Sequence, residues 1–289
     1  MFKKISHLKT LIRADSSDQI GHGHIRRNLV MAAKFSDVSF ACVRLNGDIF
    51  NEINYPKFEL KTSEISEFIE LINMEKFELV VIDHYGIDFD NERAICEQTD
   101  AKILCFDDCY GKHYCDILLN VNLFAERLKY ATLVPYWCEV WCGREYMLVR
   151  DEFYQEQSVK REKIYDFFIG FGGTDILNLS FKIAEILLAK SAKIALITTS
   201  ANTNLTELKN LSDENENLSL FINSDQIAKL MNESQNLIIQ ASGFVNEALV
   251  LGANFTAVKT ADNQNELYKW LKTNGFKAYV SEQICKILS

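Results

Sequence analysis

Glycine and histidine alternate from Gly21 to His24 within "DSSDQIGHGHIRR", Asp15 to Arg27, where a short apolar run gives way to a helical pattern. A loop of this make-up can turn the chain, cradle a phosphate or hold a catalytic imidazole. It does not carry the dinucleotide fingerprint: Gly21 and Gly23 supply G-x-G, but Arg26 stands where the third glycine belongs, and there is no Walker lysine. His24 falls in the first turn of the predicted helix. The positive end of a helix dipole disfavours imidazolium there, so a neutral ring able to take a proton from water is the expectation. His22 competes for that role from within the loop, before the helix can orient it. The plain alternative is that His24 caps the helix or packs.

A second loop, "FGGTDILN", places Gly172, Gly173 and Thr174 between a strand and a helix. Glycines let a backbone approach a ligand closely, and the following helix offers unpaired amides, so a diphosphate suits the place. The same pattern also serves turns that bind nothing. In "QASGFVNEALVLG", Ser242 and Gly243 end a strand, and Asn246 and Glu247 lie in the next helix. A carboxylate there can accept both hydroxyls of a ribose; the alternative is a solvated first-turn glutamate that favours the dipole. At "VIDHYGID" a strand ends in Asp83, His84 and Tyr85, and Tyr85 could hydrogen-bond a sugar or phosphate. Arg26 and Arg27 read as a solvated helix face. Cys105 and Cys109 share a C-x3-C spacing with Cys138 and Cys142, from which a zinc site, with His113, is imaginable. The cysteines in apolar or helical patterns are expected instead to be small buried hydrophobes.

These residues need a scaffold, and the chain supplies one twice. "TLIRAD", "VSFACVRL", "KFEL", "FELVVIDHY", "AKILCFDD" and "DILLNVN" read as strands, separated by helical patterns at 25–35, around 47–54, at 64–75 and at 91–98. The charged segment 148–163 reads as a connector. Alternation then restarts with "IYDFFIGFG", "KIALITTS", "LSLFIN", "NLIIQAS" and "NFTAVKT". Such alternation predicts α/β units with parallel sheets covered on both faces. We therefore expect two Rossmann-like domains, 1–150 and 151–289, facing a cleft, each with a glycine loop after its first strand. Ligands in these sheets sit outside the carboxyl ends of the strands.

The 289 residues carry a formal net charge of −9, which argues against a general nucleic-acid partner. The opening "MFKKISHLKT" has positive charge without an apolar stretch of signal-peptide length, and no apolar run approaches the roughly 20 residues of a membrane span. A cytoplasmic protein with no membrane partner is the expectation.

Taken in order, "RADSSDQIGHGHIRR", "ELVVIDHYG", "CDILLNVN", "LVRDEFYQE", "YDFFIGFGGTDILNLS", "IAKLMNES" and "SGFVNEALVL" resemble the UDP-sugar hydrolases of pseudaminic acid biosynthesis, over Thr10 to Asn274. The resemblance implies the GT-B architecture and a substrate, UDP-2,4-diacetamido-2,4,6-trideoxy-β-L-altropyranose, cleaved by water at C1 with inversion, without metal or other cofactor. It implies His24 as general base, with Gly21 and Gly23 of its loop, Tyr85 and Asn263 at the sugar. It implies Gly172, Gly173, Thr174, Ser242, Asn246 and Glu247 at UDP, in the C-terminal domain. A monomer acting on a small-molecule nucleotide sugar is expected. His22 departs from the pattern, standing where an aromatic is expected. The competing functions are a GT-B glycosyltransferase using a UDP-sugar donor and a UDP-sugar-binding protein without catalysis.

Overall fold

The structure is a computed structural model and describes residues 2–289. The chain divides into two compact units, Met1–Leu148 and Val149–Ser289.

The first unit runs β1 (Thr10–Arg13), α1 (Gly23–Ala32), β2 (Val38–Val43), β3 (Lys57–Leu60), α2 (Ile65–Glu75), β4 (Leu79–Ile82), α3 (Phe89–Gln98), β5 (Lys102–Phe106), β6 (Ile117–Asn120) and β7 (Glu139–Cys142). Its strands form one parallel sheet in the order β3-β2-β1-β4-β5-β6-β7. Alternate side chains of each strand go to opposite faces, and both faces are apolar. Ile12, Phe40, Val81 and Leu104 pack on one face with Ile25 and Met31 of α1. Leu11, Ala41, Val80 and Ile103 pack on the other with Phe68 and Ile72 of α2 and Ile95 of α3. Asp88 starts α3 by accepting the amides of Asp90 (3.1 Å) and Asn91 (3.0 Å), which satisfies donors that the first turn leaves open.

The second unit runs α4 (Asp151–Gln157), β8 (Tyr165–Gly170), α5 (Leu179–Leu188), β9 (Ile194–Thr198), α6 (Leu205–Asp213), β10 (Leu218–Ile222), α7 (Ile227–Asn232), β11 (Ser234–Gln240), α8 (Gly243–Leu251), β12 (Phe255–Lys259), α9 (Asn265–Thr273), β13 (Lys277–Val280) and α10 (Ser281–Leu288). Its parallel sheet has the order β10-β9-β8-β11-β12-β13. Ile169, Leu196 and Ile238 bury one face against Ile183 and Leu187 of α5 and Ile284 of α10.

Two local expectations give way. The stretch 47–54 holds a single 3-10 turn, Phe50–Glu52, because the Asp48 carboxylate takes the amides of Leu45 (3.0 Å) and Phe50 (3.1 Å) and tightens the chain into a turn. The charged segment 148–163 is not bare connector: α4 lies in it and packs on α7 and α8, with Phe153 fully buried. Among the described residues no helix is long and apolar enough to cross a membrane.

Each sheet reverses its strand order once, between β1 and β4 and between β8 and β11. At such a switch point the flanking loops diverge and leave room beyond the carboxyl ends of the strands. His24 and Asp83 lie at the first of these places, and Gly172, Gly173, Thr174, Ser242, Asn246 and Glu247 at the second.

Candidate active site

At the first switch point, β4 ends directly before Asp83, and α1 presents His24, Arg27 and Asn28 to it. Spacings of three and four residues put these side chains on one helix face. His24 Nδ1 lies 2.6 Å from Asp83 Oδ1. Arg27 Nε donates to Asp83 Oδ2 at 2.6 Å, Arg27 Nη2 donates to Oδ1, and Asn28 Nδ2 donates to Oδ2 at 2.5 Å. The carboxylate thus fills about all four of its lone-pair positions. Burial alone would raise the Asp83 pKa; the charge and hydrogen bonds of Arg27, with the bond from His24, reverse that and hold it well below the usual carboxylate range. An ionised Asp83 only accepts, so His24 Nδ1 carries the proton and Nε2 is left to work. No hydrogen bond reaches His24 Nε2 among the described residues.

Arg27 is tied on its far side to Asp108, Nη1 donating at 3.0 and 2.9 Å, and stacks over the Phe106 ring at 4.6 Å. The reading of Arg27 as a solvated cation is therefore corrected: it bridges two carboxylates beyond the carboxyl ends of β4 and β5, and its own pKa is raised because their charges outweigh its burial. Arg26, one residue earlier, is exposed and makes a 3.5 Å contact to Glu52. Tyr85 donates to Asp108 Oδ2 at 3.1 Å, and its ring stands edge-on to that of His24, centroids 4.8 Å apart. His84 Nε2 contacts Asp15 Oδ2 at 3.0 Å, and Asp15 also binds Arg13. His22 is the residue before α1; its Nε2 lies 3.0 Å from the Gly47 carbonyl, and it has no bond to Asp83. Gly21 turns the loop at φ +80°, and Gly23 opens α1.

At the second switch point, Gly172 follows β8 with φ +62°, and a Cβ there would meet Gln240 Oε1 at 2.8 Å. Gln240 Nε2 donates to Thr260 Oγ1 at 2.7 Å, and the Thr260 amide donates to Gln264 Oε1 at 2.8 Å. This chain of neutral groups links the ends of β8, β11 and β12 and brings the turn that carries Asn263, which is exposed, to the same edge. Gly173 accepts from Thr199 Oγ1 at 2.9 Å, and the Thr174 carbonyl faces the Thr203 amide at 3.5 Å.

The helix amides expected to be free after this loop are not. The Asp175 carboxylate takes those of Leu179 (3.0 Å) and Ser180 (2.8 Å), so the start of α5 already holds an anion of its own. The opening of α8 differs. Ser242 precedes it with no side-chain cap. Glu247 lies four residues after Gly243, on the same face one turn along. Arg150 donates to Glu247 Oε1 from Nε (3.1 Å) and Nη2 (3.0 Å), which leaves Oε2 without a hydrogen bond among the described residues. Burial pushes the Glu247 pKa up to about 7, against the pull of Arg150. Asn246 is buried and Ser242 half-buried beside it. Neither the Asp83 pairing nor the Arg150 pairing is foreseen in the sequence. The spacing of Arg27 three residues after His24 was the available signal for the first; nothing local marks the second.

None of the eight cysteines is in a disulfide, and the four proposed for a zinc site do not assemble: Cys109 is exposed, whereas Cys105 is fully buried. Cys105 lies instead with Glu92 and His113, their ligand atoms all within 4.8 Å of one another.

No family model matches the chain. It is 53% identical over 270 residues to the UDP-2,4-diacetamido-2,4,6-trideoxy-beta-L-altropyranose hydrolase of Campylobacter jejuni, covering 93% of this chain and 98% of that one. It is 20% identical over 276 residues to the spore coat polysaccharide biosynthesis protein SpsG of Bacillus subtilis, covering 91% and 81%. Among solved structures it resembles Acinetobacter baumannii MurG (TM-score 0.62, 13% identity, 96% of this chain and 88% of that one). It also resembles Arabidopsis thaliana UGT89C1 complexed with UDP (TM-score 0.63, 9% identity, 98% and 89%). These structural likenesses establish the fold, the two-domain α/β architecture of GT-B glycosyltransferases.

Proposed function

Since the chain belongs to the family of UDP-2,4-diacetamido-2,4,6-trideoxy-β-L-altropyranose hydrolases, we infer that it hydrolyses that nucleotide sugar at C1, yielding the free sugar and UDP. His24 is the general base. Asp83 fixes the tautomer and orientation of the ring and stabilises the imidazolium that forms when Nε2 takes a proton from water. Water attacks C1 on the face opposite the departing UDP, so the configuration inverts in one displacement. Gly21 and Gly23 keep the loop before α1 low at the sugar. Tyr85 and Asn263 serve the sugar ring and its acetamido groups.

UDP is held by the second unit. Ser242 and the opening amides of α8, with the Gly172–Thr174 loop, receive the diphosphate; Glu247 receives the ribose hydroxyls through Oε2. Fixed amides aimed at the leaving diphosphate stabilise the charge that grows there, and the step needs no metal ion. The reaction is that of a cytoplasmic monomer acting on a small molecule.

The observation that carries this reading is the 2.6 Å contact between His24 Nδ1 and a saturated, ionised Asp83, with Nε2 left over. The test is His24→Ala. Turnover of the UDP-sugar, followed by the anomeric proton in NMR with chelator present and no acceptor added, should fall about 10²–10⁴-fold. UDP affinity should stay within about twofold. Release of UDP only on addition of a sugar or lipid acceptor would identify a transferase instead. Unchanged turnover in His24→Ala, with loss in His22→Ala, would move the base to His22.

A further inference from the structure

Beneath α3, on the face of the first sheet opposite α1, lies a group of side chains that the hydrolytic reading leaves unused. Glu92, on α3, is fully buried, as is Cys105 on β5. His113, from the loop before β6, places Nδ1 at 2.7 Å from Glu92 Oε1. One sulfur, one imidazole nitrogen and one carboxylate oxygen converge within 4.8 Å. We propose that Glu92, Cys105 and His113 form a binding site for a thiophilic divalent cation of the zinc class.

Three features of the surroundings favour an ion over a plain buried ion pair. The first is the donor set. Thiolate, imidazole and carboxylate together are the ligands zinc takes, at about 2.0–2.3 Å, so donors now within 4.8 Å close on it by small side-chain rotations. The second is the outer shell. A metal-bound histidine ordinarily gives its other ring N–H to a carboxylate, which fixes the ring. Asp107 Oδ1 stands 3.6 Å from His113 Nε2, and it is itself held by the amides of Cys109 (3.1 Å) and Gly111 (3.1 Å). The third is a supply of further sulfur. Cys115 is in side-chain contact with Cys105, and Cys138 Sγ lies 3.7 Å from Cys115 Sγ, so further sulfur stands beside the cluster.

The charges balance. Binding sends the Cys105 thiol proton and the His113 ring proton to solvent, and the dication together with its three ligands, one thiolate, one carboxylate and a neutral imidazole, then carries no net charge. The site lies on the other side of the sheet from His24 and takes no part in the hydrolytic step.

The test uses the full chain without a histidine tag, reduced, stripped by chelator and titrated with Co²⁺. The expected result is one equivalent bound, with a thiolate-to-cobalt charge-transfer band in the near ultraviolet that Zn²⁺ abolishes by displacement. Cys105→Ser should remove the band. Cys109→Ser and Cys142→Ser should leave it intact. Should Cys105→Ser fail to fold, the half-buried His113→Gln must weaken Co²⁺ binding by about tenfold or more. Absence of the band in the unmodified chain at saturating Co²⁺, or its persistence in Cys105→Ser, or unchanged affinity in His113→Gln, would overturn the proposal.

Discussion

The two switch points are built on the same strand order and carry opposite electrostatics. At the end of β1 and β4, formal charges are dense and fully paired: Arg13 with Asp15, and Arg27 between Asp83 and Asp108. Asp15 and Asp83 are both held well below the ordinary carboxylate range, because partners outweigh the cost of burial. At the end of β8 and β11, the linking groups are neutral amides and a hydroxyl. Burial wins there, and the carboxyls of Asp175 and Glu247 move up. The contrast teaches what each site can be asked to do. A proton-transfer site needs fixed charges that hold a base in one tautomer through the step. A site for a diphosphate does better with little fixed negative charge, since each such charge would repel the ligand.

Asp83→Asn is the sharpest way to break the first site. The amide keeps the shape but offers an NH2 to groups that all donate, and it leaves Arg27 with one carboxylate instead of two. We expect kcat to fall about 10²–10⁴-fold and stability to drop by about 3–5 kcal/mol, the cost of breaking a buried pair. The pH dependence of unfolding provides a second check. A carboxylate depressed in the folded state contributes its full stability above its unfolded pKa of about 3.9 and loses it as pH falls through the folded value. Acid destabilisation below about pH 4 should therefore be shallower in Asp83→Asn than in the unmodified chain. Equal slopes would show that Asp83 is not held ionised.

That pair also marks the limit of what could be read without coordinates. The alternation of β-branched runs with helix-period segments carries the architecture, because buried parallel strands must be apolar on both faces. Four-residue edge strands such as "EVWC" at β7 and "KAYV" at β13 carry too little pattern to be singled out. His24 was legible because a glycine loop and a helix start announce it locally. Its partner was not, since 59 residues separate it from Asp83 and only the β1–β4 adjacency joins them. The free amides expected at α5 failed for a related reason: Asp175 was visible in the loop, but its left-handed backbone at φ +41°, which folds it over the helix start, was not.

Glu247→Gln sharpens the second site. The carboxyl titrates at about 7, and the ionised form is the better acceptor for two ribose hydroxyls. Uridine, which carries no phosphate to titrate, should therefore bind several-fold more tightly at pH 8 than at pH 6. In Glu247→Gln that dependence should vanish and KM for the nucleotide sugar should rise about 10-fold, about the worth of one charged hydrogen bond, with kcat nearly unchanged. A pH-independent uridine affinity in the unmodified chain would remove Glu247 from the ribose.

The smallest effects separate two glycines that look alike in the sequence. Gly172 has φ +62° and no room for a Cβ, which would lie 2.8 Å from Gln240 Oε1. Gly172→Ala must bear the left-handed penalty of about 1–2 kcal/mol and displace the Gln240–Thr260 link, so thermal stability of the second unit should fall and nucleotide KM should rise. Gly23 begins α1 in open space, with nothing within 4 Å of the position a methyl group would take. Gly23→Ala should leave the fold intact and add up to about 1 kcal/mol by removing freedom from the unfolded chain. Any loss of turnover in that variant with stability unchanged would then be a direct readout of the sugar's approach to the loop beside His24. A stability loss in Gly23→Ala as large as that in Gly172→Ala would show that the loop before α1 is under backbone strain, and that the two switch points are more alike than their charges suggest.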